Sequence, residues 1–311
     1  MKLRQLLPRR TKWSLRVVES AVPLDSNWLR ANPLPAPENE TDKNGRGRVL
    51  AIGGGRLVPG GIMLTVEAAL RAGAGKIQVA TAASASLAIG VAMPEIAVLG
   101  LPENADGEID LAENREILPL ISRCDCLVVG PAMSDPIAAS GLLGRMIAHV
   151  NVQLVLDAAV LINLKDHAAQ LKLLATPAVL TPHIGEMTAL LNWPSEEIET
   201  DRAKAALEVT HRYGAICAFK GATTVVSAPG GALFNYAGGG VGLATAGSGD
   251  VLAGIVAGLC ARGADPLQAT LWAVWLHGEA GRRCAEQIGP LGFLARELLA
   301  KVPKLMIGQA A

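Results

Sequence analysis

Aromatic side chains are nearly missing from this 311-residue chain, in which phenylalanine, tyrosine and tryptophan together make up 3%. A surface that stacks nucleic-acid bases needs such rings, so the scarcity argues against one. Net charge is missing as well. Lysine and arginine number 28 and aspartate and glutamate 28. That balance leaves no basic field for nucleic acid and no basic amphipathic stretch for a membrane surface. No uninterrupted apolar run reaches transmembrane length. Lys2, Arg4, Arg9 and Arg10 make the N-terminus basic, but Pro8 and the charges interrupt any apolar centre of a signal peptide. Cysteine is sparse too. Cys124, Cys126, Cys217, Cys260 and Cys284 are odd in number and scattered, and Cys124-x-Cys126 lacks the two-residue gap of a zinc knuckle or redox pair. They read as small buried hydrophobes in a reducing, cytoplasmic setting.

What is present is aliphatic. Half of the residues are hydrophobic and 18% are charged, enough for a large core built from Val, Ile, Leu and Ala. Residues 1–45 differ from the rest. Leu6–Leu7 and Leu15–Val18 offer short contacts, and Asn32-Pro-Leu-Pro-Ala-Pro37 is extended and linker-like. This segment reads as an N-terminal arm, packed on the domain or on a neighbouring subunit. Residues 46–311 read as one domain in which apolar strands alternate with helices. Strands are expected at Val49–Ile52, Lys76–Ala80, Ile96–Leu99, Cys126–Val129, Leu154–Leu156, Val179–Thr181 and Ile216–Phe219. A hairpin is expected around Pro229-Gly-Gly231, and helices from Gly61, over 136–148, 195–213, 249–262, 266–286 and 291–302. The pattern predicts an α/β fold, a mostly parallel sheet covered by helices on both faces. Ligands of such sheets bind beyond the carboxyl ends of the strands. Gly130-Pro131, Asp157, His183 and Lys220 all fall there.

The most informative stretch is Ala244-Thr-Ala-Gly-Ser-Gly-Asp-Val-Leu-Ala-Gly254. A small-residue loop enters an apolar helix, whose first turn offers free N–H groups and the positive dipole end to an anion. Gly247, Ser248 and Gly249 are the candidate anion hole. Asp250 sits inside it, and a carboxylate there suits the removal of a proton from a hydroxyl that attacks a phosphoryl group. In Thr181-Pro-His-Ile-Gly-Glu-Met187, His183 is either a substrate ligand or an ordinary helix cap. Glu186 is a candidate to hold Mg²⁺ through water, since that ion keeps most of its waters. In Lys220-Gly-Ala-Thr-Thr224 the lysine either pairs with phosphate or is a solvated strand end. Asp157 is either functional or a helix N-cap. His149, His167 and His211 read as structural or exposed, and His277 as a core or subunit-contact residue. The Gly53–Gly55 and Gly60–Gly61 cluster fits neither a dinucleotide fingerprint nor a Walker loop.

Taken in order, these motifs resemble those of the NAD(P)H-hydrate dehydratases. Gly53-Gly-Gly…Pro59-Gly-Gly61, Ala68-Ala-Leu-Arg-Ala-Gly-Ala-Gly75, Val129-Gly-Pro131, Leu156-Asp-Ala158, Leu180-Thr-Pro-His-x-Gly-Glu-Met187, Lys220-Gly-Ala-x-Thr224, the Gly247–Asp250 loop and Leu276-His-Gly-x-Ala-Gly281 all fit, over about residues 42–303. The resemblance implies a ribokinase-like fold. It also implies the use of ADP or ATP with Mg²⁺ to restore hydrated NADH or NADPH, by phosphorylation of the ring hydroxyl and loss of phosphate. By resemblance, Lys220, Gly221, Ala222, Thr223, Thr224 and Gly249 bind the nucleotide. Gly61, Ser134, His183 and Asp250 face the hydrate, with Asp250 as base. The resemblance further implies a homo-oligomer, with a tetramer among the forms, and an epimerase on a separate chain. Several positions depart from the family. Gly130-Pro-Ala-Met-Ser134 stands where Gly-Pro-Gly-Leu-Gly is usual, so side chains occupy backbone-approach positions and a positive φ required within Ala132–Ser134 would be costly. Ala159 replaces a second carboxylate, Gly240 an asparagine and Gly55 a serine. Two alternatives stay open: another small-molecule kinase of this fold, or a non-catalytic nucleotide-binding protein.

Overall fold

The computed structural model describes residues 21–36, 41–111 and 117–307. The contacts expected of Leu6–Leu7 and Leu15–Val18 lie outside the described residues.

Ten strands form one sheet. In chain order they are β1 (Val22–Pro23), β2 (Arg48–Ile52), β3 (Lys76–Ala82), β4 (Ala97–Leu101), β5 (Cys126–Val129), β6 (Gln153–Leu156), β7 (Val179–Leu180), β8 (Ile216–Phe219), β9 (Thr223–Ala228) and β10 (Ala232–Ala237). Their order across the sheet is β1-β10-β9-β8-β7-β6-β5-β2-β3-β4. Only the two pairings of β9 are antiparallel. That is the expected hairpin, closed by Gly230 and Gly231 at positive φ. Alternation along β2 shows how the core divides. Val49 and Ala51 point into one buried cluster and Leu50 and Ile52 into the other, on the opposite face.

Register then sets the rim. Ile52 pairs with Val129, Val129 with Leu156, Leu156 with Leu180, and Leu180 with Cys217. Five strands therefore end nearly level. Gly53, Gly130, Asp157, Thr181 and Lys220 emerge together although they are spread over most of the chain.

The helix Ser248–Ala261 is buried along nearly its whole length and packs on the helix Gly61–Arg71. Glycine permits the approach. A Cβ on Gly254 would lie 2.1 Å from the Thr65 carbonyl oxygen, and one on Gly258 2.5 Å from that of Ala69. The long helix Pro266–Gln287 covers the same layer. Two helical expectations need correction. The 195–213 stretch is two helices, Ser195–Thr200 and Arg202–Tyr213, because the Asp201 side chain turns back to accept from Lys204 N–H at 2.9 Å and starts the second. The 291–302 stretch is likewise divided. The helices there are Ala295–Leu299 and Val302–Ile307. Pro303 has no N–H with which to continue the first one.

Candidate active site

The helix Ser248–Ala261 begins at the rim. Its N-cap, Gly247, holds φ 86°, a left-handed conformation suited to glycine, and no side chain caps the turn. Ser248 N–H is taken by the Thr245 carbonyl at 3.2 Å and Val251 N–H by that of Gly247 at 3.1 Å. The Gly249 and Asp250 amides are thereby left as the outward donors of the expected anion hole. His277 braces the turn from the helix Pro266–Gln287. Its Nε2 lies 2.9 Å from Ser248 Oγ and 3.0 Å from the Ser248 carbonyl oxygen. Burial pushes the imidazole down to about 4, so it is neutral near pH 7. His277 thus faces the site instead of serving only the core.

Asp157 is not a helix cap. Its Oδ1 accepts from Thr181 Oγ1 at 2.7 Å and from Lys220 Nζ at 2.9 Å. The Lys220 ammonium also stands 3.8 Å from Glu186 Oε2. Burial works to lower the lysine's pKa, but the charges of Asp157 and Glu186 outweigh it and hold the group above its ordinary value. Lys220 is therefore a fixed cation and not a solvated one. A Cβ on Gly249 would sit 3.1 Å from its Nζ, so the lysine lies directly against the anion hole.

The helix-cap reading of His183 holds in the structure. His183 caps the helix Ile184–Leu191: its Nδ1 accepts from Gly185 N–H at 2.9 Å, and Glu186 Oε2 accepts from the His183 N–H at 2.8 Å. The same ring lines a cleft of about 900 Å³ together with Lys220, Gly221, Ala222, Thr224, Ser248, Gly249 and His277. Thr223 opens β9 opposite Ala237. Arg202 also lines the cleft, though no motif pointed to it. Its guanidinium donates to the carbonyls of Phe219 at 3.2 Å and Lys220 at 2.9 Å, and stacks 3.5 Å from the centre of the Phe219 ring. A Cβ on Gly221 would meet this arginine at 2.5 Å, so the glycine is what lets Arg202 lock the strand end.

Asp250 joins this cleft to a second wall. Burial, then the negative charge of Asp157, push its carboxyl up to about 7, against the pull of Lys220 and of the Ala132 N–H. Ala132 holds φ 58°, the positive value foreseen as costly. Gly61 makes room for it, since a Cβ there would lie 2.6 Å from the Ala132 Cβ. Two residues on, Ser134 donates through its hydroxyl, and through its N–H at 3.1 Å, to Glu108 Oε1. These two residues line a hollow of about 610 Å³ with Arg56. Ala159 is buried and apolar.

The sequence model of the NAD(P)H-hydrate dehydratases matches residues 49–304. The chain belongs to this family. It is 47% identical over 279 residues to the ADP-dependent (S)-NAD(P)H-hydrate dehydratase of Xanthomonas campestris, covering 89% of this chain and 93% of that one. It is 36% identical to the bifunctional NAD(P)H-hydrate repair enzyme of Moorella thermoacetica, over 91% of this chain but only 53% of the longer protein. Among solved structures, the ADP/ATP-dependent NAD(P)H-hydrate dehydratase of Bacillus subtilis, crystallised with ATP and Mg²⁺, superposes with TM-score 0.77 at 25% identity, over 94% of this chain and 100% of that one. A ribokinase-like protein of Enterococcus faecalis shares the fold, with TM-score 0.80 at 24% identity over 94% and 98% of the two chains. The dehydratase family and the ribokinase-like α/β fold expected from the motifs are thus both found.

Among the described residues no helix is long and apolar enough to cross a membrane. No group of three or more His, Cys, Asp or Glu is placed to hold a metal ion there. A protein-only Mg²⁺ cage does not fit these residues. An ion carried by phosphates and water does, with Glu186 and Asp157 as the nearest carboxylates.

Proposed function

We propose that this dehydratase repairs hydrated NADH and NADPH with ADP as phosphoryl donor, and that Asp250 is its base. ADP is favoured by the 47% identity to an ADP-dependent relative; ATP is the alternative donor. The observation that carries the reading is a carboxyl brought to about 7 beside two unfilled helix amides and a fixed lysine. A base poised near the working pH removes a proton most effectively. In this reading the nucleotide lies in the 900 Å³ cleft, held by Lys220–Thr224 and Gly249. The hydrate lies against Gly61, Ser134 and His183.

Asp250 takes the proton of the ring hydroxyl as its oxygen attacks the terminal phosphorus, and the bridging P–O bond breaks to release AMP from ADP. The Gly249 and Asp250 amides and Lys220 face the oxygens on which negative charge grows. The hydroxyl, a poor leaving group, becomes a phosphate ester. The ring nitrogen then expels phosphate, and a proton leaves the neighbouring carbon to restore the double bond. A Mg²⁺ ion, held through water by Glu186, would neutralise phosphate charge.

The reading also places the enzyme in the cytoplasm as a homo-oligomer. Exposed apolar side chains at Leu87, Val91, Leu291 and Leu294 support self-association. Incubation with NADH hydrate and ADP, followed by dihydronicotinamide absorbance and phosphate release, tests the activity. Recovery is expected. No recovery with ADP or ATP at high enzyme concentration would overturn it, and phosphate transfer to a different alcohol would identify a small-molecule kinase instead.

A further inference from the structure

We infer that Glu108 positions the ring half of the substrate by accepting a hydrogen bond from the carboxamide N–H of the hydrated nicotinamide. The inference rests on the hydrate-repair reading above. Glu108 is 3% exposed and lies outside every motif of the chain. One of its oxygens, Oε1, is fully engaged with the Ser134 hydroxyl and N–H. The other, Oε2, is buried and has no hydrogen-bond partner among the described residues. A buried acceptor left unpaired is costly, and most are paired in a working protein. Glu108 lines the 610 Å³ hollow with Arg56 and Ser134, and a turn of its carboxylate would bring the buried Oε2 to a donor carried by a ligand there.

Spacing fits the ring. The Ala132 N–H helps to hold the Asp250 carboxyl down, and Glu108 accepts the Ser134 N–H two residues on. Two residues of chain span at most about 7 Å. The reacting hydroxyl and the carboxamide sit on opposite sides of the six-membered ring, so a substrate whose hydroxyl is at Asp250 turns its carboxamide toward Glu108. The Ser134 hydroxyl fixes the carboxylate by donating to Oε1, which leaves Oε2 for the substrate.

Gly55 supplies an internal control. A Cβ there would lie 3.1 Å from Glu108 Oε1, and the glycine has no positive φ to forbid a side chain. A serine at 55 would therefore present a hydroxyl to the same oxygen from the other loop. Ser134 to glycine would remove the present donor, and Gly55 to serine would return one.

The test is steady-state kinetics on NADH hydrate, with ADP affinity measured separately by calorimetry. E108Q is expected to raise KM for the hydrate about 10- to 100-fold while the Kd for ADP stays within about twofold. S134G is expected to lose part of the same affinity, and the double variant G55S/S134G to recover about half of that loss or more. A hydrate bearing an acetyl group in place of the carboxamide has no N–H. It is expected to cost the wild type as much as E108Q does, with no further loss when E108Q meets it. An unchanged hydrate KM in E108Q overturns the assignment. So does an equal loss on both hydrates, the mark of a merely structural residue. If E108Q fails to fold, S134G and its rescue decide, and absence of rescue overturns it. A wild type that repairs no hydrate removes the functional reading itself, an outcome distinct from an active wild type with indifferent variants.

Discussion

Asp250, the base of the proposed reaction, is held in a state that costs stability. Its carboxyl is raised to about 7 in the folded chain against 3.8 for a free side chain. Between those values the folded state keeps a proton that the unfolded state has lost, so stability falls as pH rises from about 4 to 7 and is not regained above it. D250N should therefore abolish turnover and leave ADP affinity nearly intact. It should also be more stable than the wild type at pH 8 by about 1–4 kcal/mol, with the gain shrinking toward pH 4; thermal melts at the two pH values check the sign. The rate of hydrate repair should show an acidic limb near 7, since only the ionised base accepts a proton. His277 should not add a second limb between pH 5 and 8, because its imidazole is held down at about 4. H277A should lower kcat about 10- to 100-fold by loosening the first turn, as read from single turnovers. Ala132 stores backbone strain at φ 58°. A132G should raise stability by about 0.5–1 kcal/mol in denaturant titrations. G61A should destabilise the wild type, and part of that cost should vanish in the A132G background, where the facing Cβ is gone.

At the scale of elements, the strand–helix rhythm after Gly47 was legible because the central strands, such as Cys126–Val129 and Ile216–Phe219, are buried on both faces and the loops between them are marked by glycine, proline or a charge. Asp250, Lys220, His183 and the glycine loops were legible for the same reason: they interrupt apolar runs at strand or helix ends. Arg202, Glu108 and the true role of His277 were not. Each acts on a loop far away in the chain, Arg202 on Phe219 and Lys220, Glu108 on Ser134, and His277 on Ser248. No local pattern encodes such a pairing. The division of 291–302 was missed because the apolar spacing runs on across the break at Ala300–Lys301. The rim depends on two helices in close contact, and G254V tests this. Its side chain would enter space 2.1 Å from the Thr65 carbonyl. The expected result is loss of about 3 kcal/mol or more and loss of activity together, read by denaturation and by hydrate repair.

Over the whole molecule, residues 21–36 form a strap on the main body. Val22–Pro23 pairs with β10, and Trp28 meets Phe234 edge-on at 5.8 Å. Trp272 Nε1 donates to the Asn32 carbonyl at 2.8 Å, and Arg262 to that of Pro35 at 2.9 Å. Deleting residues 1–36 should cost about 2–5 kcal/mol of stability, through exposure of Trp272 and the lost hydrogen bonds. The level rim has a wider consequence. The residues proposed to hold the nucleotide, Lys220–Thr224 and Gly249, come from one stretch, and Gly61, Glu108 and Ala132–Ser134 come from an earlier one. The strand register alone brings the two stretches face to face. The two walls of the site therefore meet only in the folded chain, and a change in either wall is felt where the Gly61–Arg71 helix packs against Ser248–Ala261.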